Sequence, residues 1–272
     1  MSSTRTITVA MMRREGFTLM ELLVVVVIIG ILVGILVPAL AMARQFAQLA
    51  ACKSNLNSLV KANAVYAESE GTYAVAAADM MGANNQRWFG QRDEANGEFE
   101  PGGLSTFMPG LSVKACPSFD GVYSDAGQDA AFEAGCGAYG YNDIYIGRRG
   151  ADYSRATTPT RVENPSETVM FADCAYLRNG EMMAYSFTHA PMWYPERRFG
   201  ASRPNPPIHF RHGGKAAVGW ADGHASAEEM TYTGEYSFTD DVPEDYVKER
   251  ELGWFGRQYD SLPDANYLFD LR

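Results

Sequence analysis

Hydrophobic positions are distributed very unevenly along the chain. Phe17 to Leu40 reads FTLMELLVVVVIIGILVGILVPAL, an apolar run broken by a single charge. As a helix this run is long enough to cross a hydrocarbon core of ~30 Å. Helical composition continues past Pro38 to about Glu70, Ala-rich, with Leu49, Leu56, Leu59, Val60 and Ala64 near one face. Gly71 is a natural stop. The pattern therefore predicts one long helix with an apolar half (17–40) and an amphipathic half (41–70) that can dock onto a sheet. Residues 71–110 show little periodicity and read as variable loops with short elements. Thr168–Asp173 is a short apolar strand. Ala216–Ala221 reads as a strand, Asp222-Gly223 as a turn, and a return strand starts at His224. Residues 231–272 carry acidic runs and the aromatics Tyr232, Tyr236, Trp254, Phe255 and Tyr259, and read as a C-terminal extension packed on the body. The expected fold class is α+β.

Composition narrows the class. The chain has 272 residues, 46% hydrophobic and 21% charged, which fits a folded domain and not a disordered one. Its 26 Gly, 13 Pro and 15 Tyr suit a loop-rich body with strands better than a helical bundle. The formal net charge of -10 argues against nucleic acid as a partner, since phosphate binding needs clustered Lys and Arg. An acidic surface is more simply a solubility device. Four cysteines, Cys52, Cys116, Cys136 and Cys174, all come after the apolar run, and none forms a C-x-x-C pair. If that run exports the polypeptide C-terminal to it, the cysteines enter an oxidising compartment and can pair in three ways.

Arg5, Arg13 and Arg14 precede the apolar run, and the next basic residue is Arg44. This bias predicts a cytoplasmic N-terminus and an exported body. A secretory signal would have a shorter apolar core and a better small-residue site than Pro38-Ala39-Leu40-Ala41. A plain anchor fits the length but leaves Glu21 unexplained, because a carboxylate inside an apolar helix costs roughly 2.5–3.5 kcal/mol on insertion scales.

The residues around Glu21 supply a reason. Arg13-Arg14-Glu15-Gly16-Phe17-Thr18-Leu19-Met20-Glu21 resembles the prepilin cleavage and methylation motif: a basic leader ending in Gly, then Phe-Thr-Leu-x-Glu opening the apolar helix. The resemblance implies cleavage between Gly16 and Phe17 by a prepilin peptidase that also N-methylates Phe17. It implies a leader at 1–16 and an assembly role for Glu21, paired with the Phe17 amino group of a neighbouring subunit. Met11 and Met12 offer alternative translation starts just ahead of a sufficient leader. Gly30 and Gly34 form a small-xxx-small spacing, and Pro38 lies beyond them, a pattern that suits close packing and local unwinding in a filament but that a lone membrane helix could also carry.

Further segments carry the resemblance into the body (71–230). Cys52-Lys53-Ser54-Asn55-Leu56-Asn57-Ser58-Leu59 resembles a helix segment of large pseudopilin-like proteins. Cys116-Pro117-Ser118 resembles their CPS segment, and Tyr139-Gly140-Tyr141-Asn142 a Tyr-Gly-x-Asn segment. His212, separated by nine residues from Asp222-Gly223, is similar to an H-x9-DG element of prepilin-type chains. The implied fold is pilin-like: a long N-terminal helix on an antiparallel β-sheet, here with large loop insertions. The implied function is structural, a pseudopilin or minor pilin of a type II secretion or type IV pilus-like assembly. The expected location is the inner membrane, single-pass, with a periplasmic or extracellular body. Partners would be the peptidase, other pilin subunits and membrane lipid. Neither an enzyme activity nor a cofactor is expected.

The resemblance of their segments suggests a Cys52–Cys116 bridge, leaving Cys136–Cys174 as a local addition; Cys116–Cys136 with Cys52–Cys174 stays open. His189, His209, His212 and His224 all lie in the second half. His212 is expected to fix the hairpin by bonding near the Asp222-Gly223 turn. The competing reading is a membrane-anchored hydrolase with a metal at His212, Asp222 and His224. No H-E-x-x-H, G-x-S-x-G or P-loop pattern is present. A third reading, an adhesive module on a pilin stalk, rests on the aromatic stretches Tyr185–Tyr194 and Tyr232–Tyr259, since aromatics suit sugar platforms as well as cores.

Overall fold

The computed structural model describes residues 17–94, 97–121, 133, 135–150, 152–192, 204–236, 241–259 and 264–272. The leader, Gly16 and the alternative start positions lie outside the described residues. The chain divides into two compact units, Met1–Arg44 and Gln45–Arg272.

Helix α1 runs without interruption from Leu19 to Glu70. Its first half is the one described helix long and apolar enough to cross a membrane, and none of its most apolar stretch is buried. Pro38 sits inside the helix and does not end it. At the start, Thr18 and Glu21 form a reciprocal cap. Glu21 Oε2 accepts from the Thr18 backbone N–H (2.9 Å) and from its hydroxyl (2.8 Å), while the Glu21 N–H donates to Thr18 Oγ1 (3.2 Å). This capping box satisfies N–H groups that the first turn cannot pair internally. The helix stops at Gly71, whose φ of +77° suits the left-handed C-terminal position.

In the second unit the amphipathic half of α1 buries Cys52, Leu56, Leu59, Val60, Ala62, Asn63 and Ala67. Ala64, placed on that face by the periodicity, is exposed; Ala62 and Asn63 take the inward positions instead. The face lies on a four-stranded antiparallel sheet of β4 (Tyr139–Tyr141), β5 (Val169–Asp173), β9 (Lys215–Trp220) and β10 (Ala225–Glu229), ordered β10-β9-β5-β4. Gly219 sets how closely helix and sheet approach. A Cβ there would lie 3.1 Å from Val60 Cγ2 and 3.3 Å from Leu56 Cβ. β9 and β10 form the anticipated hairpin with its strands shifted by one residue. The fold is α+β with a long N-terminal helix and antiparallel sheets, consistent with a pilin-like fold.

The segment read as variable loops is more ordered than its sequence suggests. β1 (Gln86–Arg87), β2 (Gly90–Gln91) and β3 (Glu100–Pro101) make a small antiparallel sheet. Trp88, between β1 and β2, is fully buried; it donates to the Ser186 carbonyl (2.8 Å) and packs edge-on to Phe171. Two-residue strands carry no periodicity, so no alternation in the sequence marks them.

Two smaller ladders, β6 (Ala175–Arg178) with β7 (Glu181–Ala184) and β8 (Ile208–His209) with β11 (Leu252–Gly253), flank the main sheet. A short helix α2 (Glu244–Glu249) precedes β11. The C-terminal residues complete a second core, burying Trp254, Phe255 and Phe269 with Val169, Val218 and Phe210. Asn142 ties this region together: its side-chain amide donates to the carbonyls of both Val169 and Phe269 (2.8 Å each).

Candidate functional site

The resembling segments of the body converge on one buried polar cluster. Helix α1 contributes Cys52, the CPS segment Cys116, the end of strand β5 Asp173, and the turn before β9 Arg211 and His212. Asp173 is the hub. Four of the five residues of β5 are apolar, and the strand ends on this single carboxylate, which is fully buried. Its Oδ1 lies 2.7 Å from Arg211 Nη2. Its Oδ2 lies 3.1 Å from His212 Nε2 and accepts from the Ala217 N–H at 2.7 Å. Burial alone would push this carboxyl up, but the Arg211 charge, the His212 bond and the Ala217 N–H outweigh it and hold it below its ordinary value.

Gly213 and Gly214 turn the chain between Arg211 and β9, at φ of +66° and +82°. The turn closes with His212 N–H on the Lys215 carbonyl (3.0 Å), which points the imidazole inward. Burial lowers the His212 pKa, yet the bond to Asp173 and contact with Cys116 dominate and raise it to about 9. His209 is driven the other way, to about 3, by burial and the Arg211 charge. Arg211 braces the whole group: it donates to the Ala138 carbonyl (2.7 Å), the Cys174 carbonyl (3.3 Å) and Cys116 Sγ (3.3 Å). It also lies over the Phe119 ring.

The sulfurs of Cys52 and Cys116 are 2.6 Å apart, and both residues are buried. Cys116 Sγ is also 3.7 Å from His212 Nε2. None of the four cysteines is in a disulfide in this structure. Contact with Cys52, His212 and Arg211 lowers the Cys116 thiol to about 5, whereas Cys52 is raised by its contact with Cys116 and by burial. Cys136 and Cys174 are fully buried and their thiols are pushed up by desolvation, that of Cys174 to about 12.

Two readings of His212 are corrected. The histidine does not meet the Asp222-Gly223 turn, nor does it gather with Asp222 and His224. Strand β9 lies between them, and six residues at about 3.3 Å each hold the two ends of the hairpin well apart. Asp222 and His224 instead pair with each other on the surface (2.6 Å), with His224 stacked on Trp220. The turn is gripped from another side, by the Asn57 side-chain amide of α1, which donates to the Gly223 carbonyl. Asn55, two residues earlier, donates to the Tyr139 hydroxyl (3.0 Å), and Gln48 to the Pro117 carbonyl (3.1 Å).

Cys52, Cys116, Asp173 and His212 offer four ligand atoms within 4.8 Å of one another. A divalent ion fits this donor set poorly. The Arg211 guanidinium already sits against both Asp173 and Cys116 as the resident cation. Nδ1 of His212, which a metal-bound histidine normally gives to a hydrogen-bond partner, is buried without one. Sequence patterns do not single out Asp173 or Arg211; a lone carboxylate closing an apolar strand and an arginine beside His212 are the signals that point to them.

The aromatic stretches behave as core. Tyr236, Trp254 and Phe187 are buried, and Tyr185 packs between Tyr176 and Phe187. Tyr194 lies outside the described residues.

Over residues 11–37 the chain matches the family described as the prokaryotic N-terminal methylation motif. No curated protein and no solved structure matches. The match supports a type IV pilin-like protein and a substrate of prepilin peptidase. With the single apolar helix it fits anchoring in the inner membrane. It ends before the H-x9-DG residues.

Proposed function

We propose that this chain is a structural subunit, a pseudopilin or minor pilin, of a type II secretion or type IV pilus-like assembly. The observation that carries the reading is the register of its N-terminal motif: Gly16 and Phe17 stand ahead of an exposed apolar helix and Glu21 in its first turn, all in the matched region. In this reading the peptidase cuts between Gly16 and Phe17 and methylates the new amino group. The arginine bias places the N-terminus in the cytoplasm and the body outside. The large body favours a minor position over a repeating one.

Glu21 has two roles in this account. Within the subunit it caps its own helix through Oε2. In the assembly its negative charge pairs with the Phe17 ammonium of a neighbour, and a subunit out of axial register leaves a buried charge unpaired, at a cost of several kcal/mol. Mass spectrometry of the mature N-terminus tests the proposal. A methylated Phe17 is expected; an intact leader, or cleavage after the apolar run, would refute it.

A further inference from the structure

Cys116 and the four side chains around it, Cys52, Asp173, Arg211 and His212, have no part in anchoring or subunit registration, yet they form one buried, closely bonded polar group. Cys116 Sγ touches Cys52 Sγ at 2.6 Å, the Arg211 Nε–H at 3.3 Å and His212 Nε2 at 3.7 Å. Asp173 holds both cations in place through separate oxygens. Two cations aimed at one sulfur, with a second sulfur in contact, is the arrangement that stabilises an attacking thiolate beside its resolving partner.

We propose that Cys52 and Cys116 are a thiol oxidation site in which Cys116 is the attacking thiolate, Cys52 the resolving thiol, and Arg211 and His212 the positioning residues. The substrate class is a disulfide, carried by a protein or by a small molecule. The Cys116 thiolate attacks one sulfur of that disulfide, forming a mixed disulfide and releasing the other sulfur as a thiolate that takes up a proton. Cys52 then loses its proton to water and attacks Cys116 Sγ, expelling the second sulfur as a thiol. Starting from the Cys116 thiolate the pair gives up two electrons and the Cys52 proton, solvent supplies the second proton, and the incoming disulfide becomes a dithiol.

The order of attack follows from position. Cys116 lies on a surface segment whose neighbours Lys114, Ala115 and Pro117 are exposed, so a small local opening uncovers it. Cys52 is on the inner face of α1 beneath that segment. The cations support it as well, since Arg211 and His212 both approach Cys116 Sγ. Among the described residues no cation bonds the sulfur of Cys136 or Cys174, and desolvation raises both thiols, outweighing the Arg211 charge at Cys174. The chemistry belongs to the body and holds whether or not the chain assembles into a filament.

The test uses the full chain in detergent, reduced, exposed to oxidised glutathione, quenched with an alkylating agent and mapped without reductant. The expected product links the Cys52 and Cys116 peptides. Cys52→Ser should retain glutathione on Cys116, whereas Cys116→Ser should leave Cys52 unmodified. Arg211→Gln or His212→Gln should slow oxidation at pH 6 by about tenfold and make the rate climb with pH, where the native rate is already flat. The serine variants keep the Arg211–Asp173 pair, so the assignment does not depend on Arg211→Gln folding. Capture of glutathione by Cys52 in the Cys116→Ser chain, a bridge to Cys136 or Cys174, or a stoichiometric metal protecting both thiols of the reduced chain would each overturn the proposal.

Discussion

The side-chain amide of Asn57, on helix α1, donates to the carbonyl of Gly223 at the tip of the β9–β10 hairpin. One hydrogen bond thus joins the helix segment Cys52–Leu59 to the DG end of the H-x9-DG element, while His212 at the other end reaches the Cys52 region through Cys116. The two ends of the hairpin are pinned to the same helix, one by an amide and one through a buried ion cluster. Removing the amide should loosen only the tip. Asn57→Ala is expected to cost about 1 kcal/mol and to raise amide exchange at 221–225 while leaving β5 protected, as hydrogen-exchange mass spectrometry would read. Uniform loss of protection through the sheet would show that the contact matters globally.

Gly219 predicts a sterically determined defect. With a Cβ placed 3.1 Å from Val60 and 3.3 Å from Leu56, Ala needs a small shift and a larger residue needs the helix to move. Gly219→Ala should be mild, and Gly219→Leu should destabilise by roughly 1–3 kcal/mol or more, the usual penalty of overpacking. Thermal denaturation of the full chain in detergent would rank them.

The His212–Asp173 pair fixes a pH dependence. His212 has a folded pKa raised from 6.5 to about 9, so its contribution is fully present below pH 6.5 and is lost as pH rises through about 9. Asp173 has a lowered folded pKa, so its contribution is present above the ordinary carboxylate value and is lost as pH falls through the lower folded one. Cys116, lowered by the same contacts, adds stability as pH rises over this window, so the His212 limb is read in the Cys116→Ser chain, where stability should decline as pH rises from 6.5 and His212→Gln should flatten that limb. Denaturant midpoints measured at about pH 6 and about pH 9 would decide it.

Glu21→Ala should separate anchoring from assembly. Insertion into membranes should be unchanged, because the apolar run is untouched, whereas cross-linking between subunits should fall sharply. Normal assembly of this variant would remove the proposed registration role. Thr18→Ala should be milder, costing about 1 kcal/mol through the lost cap.

A Cys52–Cys116 bond would close a loop of 64 residues, and the chain-entropy account gives such a cross-link roughly 4 kcal/mol. Adding reductant should accordingly lower the melting temperature of the oxidised chain, and Cys116→Ser should abolish that shift.

Legibility from sequence tracks the length of the signal. Helix α1 announces itself through a long apolar run, an amphipathic continuation and Gly71, and the hairpin through the apolar run Ala216–Ala221 ahead of the Asp222-Gly223 turn. The same signals do not say which residues the helix turns inward. Periodicity puts Ala64 on the buried face, whereas the inward position belongs to Asn63, bonded to the Tyr141 hydroxyl and the Ala74 N–H. The cluster is half visible. Cys52, Cys116 and His212 stand out as residue types, but their meeting depends on contacts spanning 64 and 96 positions, which no local pattern encodes. Sequence proximity draws His212 towards Asp222, and an intervening extended strand undoes that proximity.

Strand β5 has a neighbour that synthesis delivers late. The Val169 N–H bonds the Leu268 carbonyl, the Glu163 N–H bonds the Leu271 carbonyl, and Phe269 fills the second core. The ribosome makes residues 163–169 about a hundred positions before these partners. The body therefore has no complete native state while it is being made, and a nascent chain stalled short of residue 268 leaves the start of its central strand without these bonds. Formation of the main sheet therefore cannot draw on these bonds until synthesis has passed residue 271.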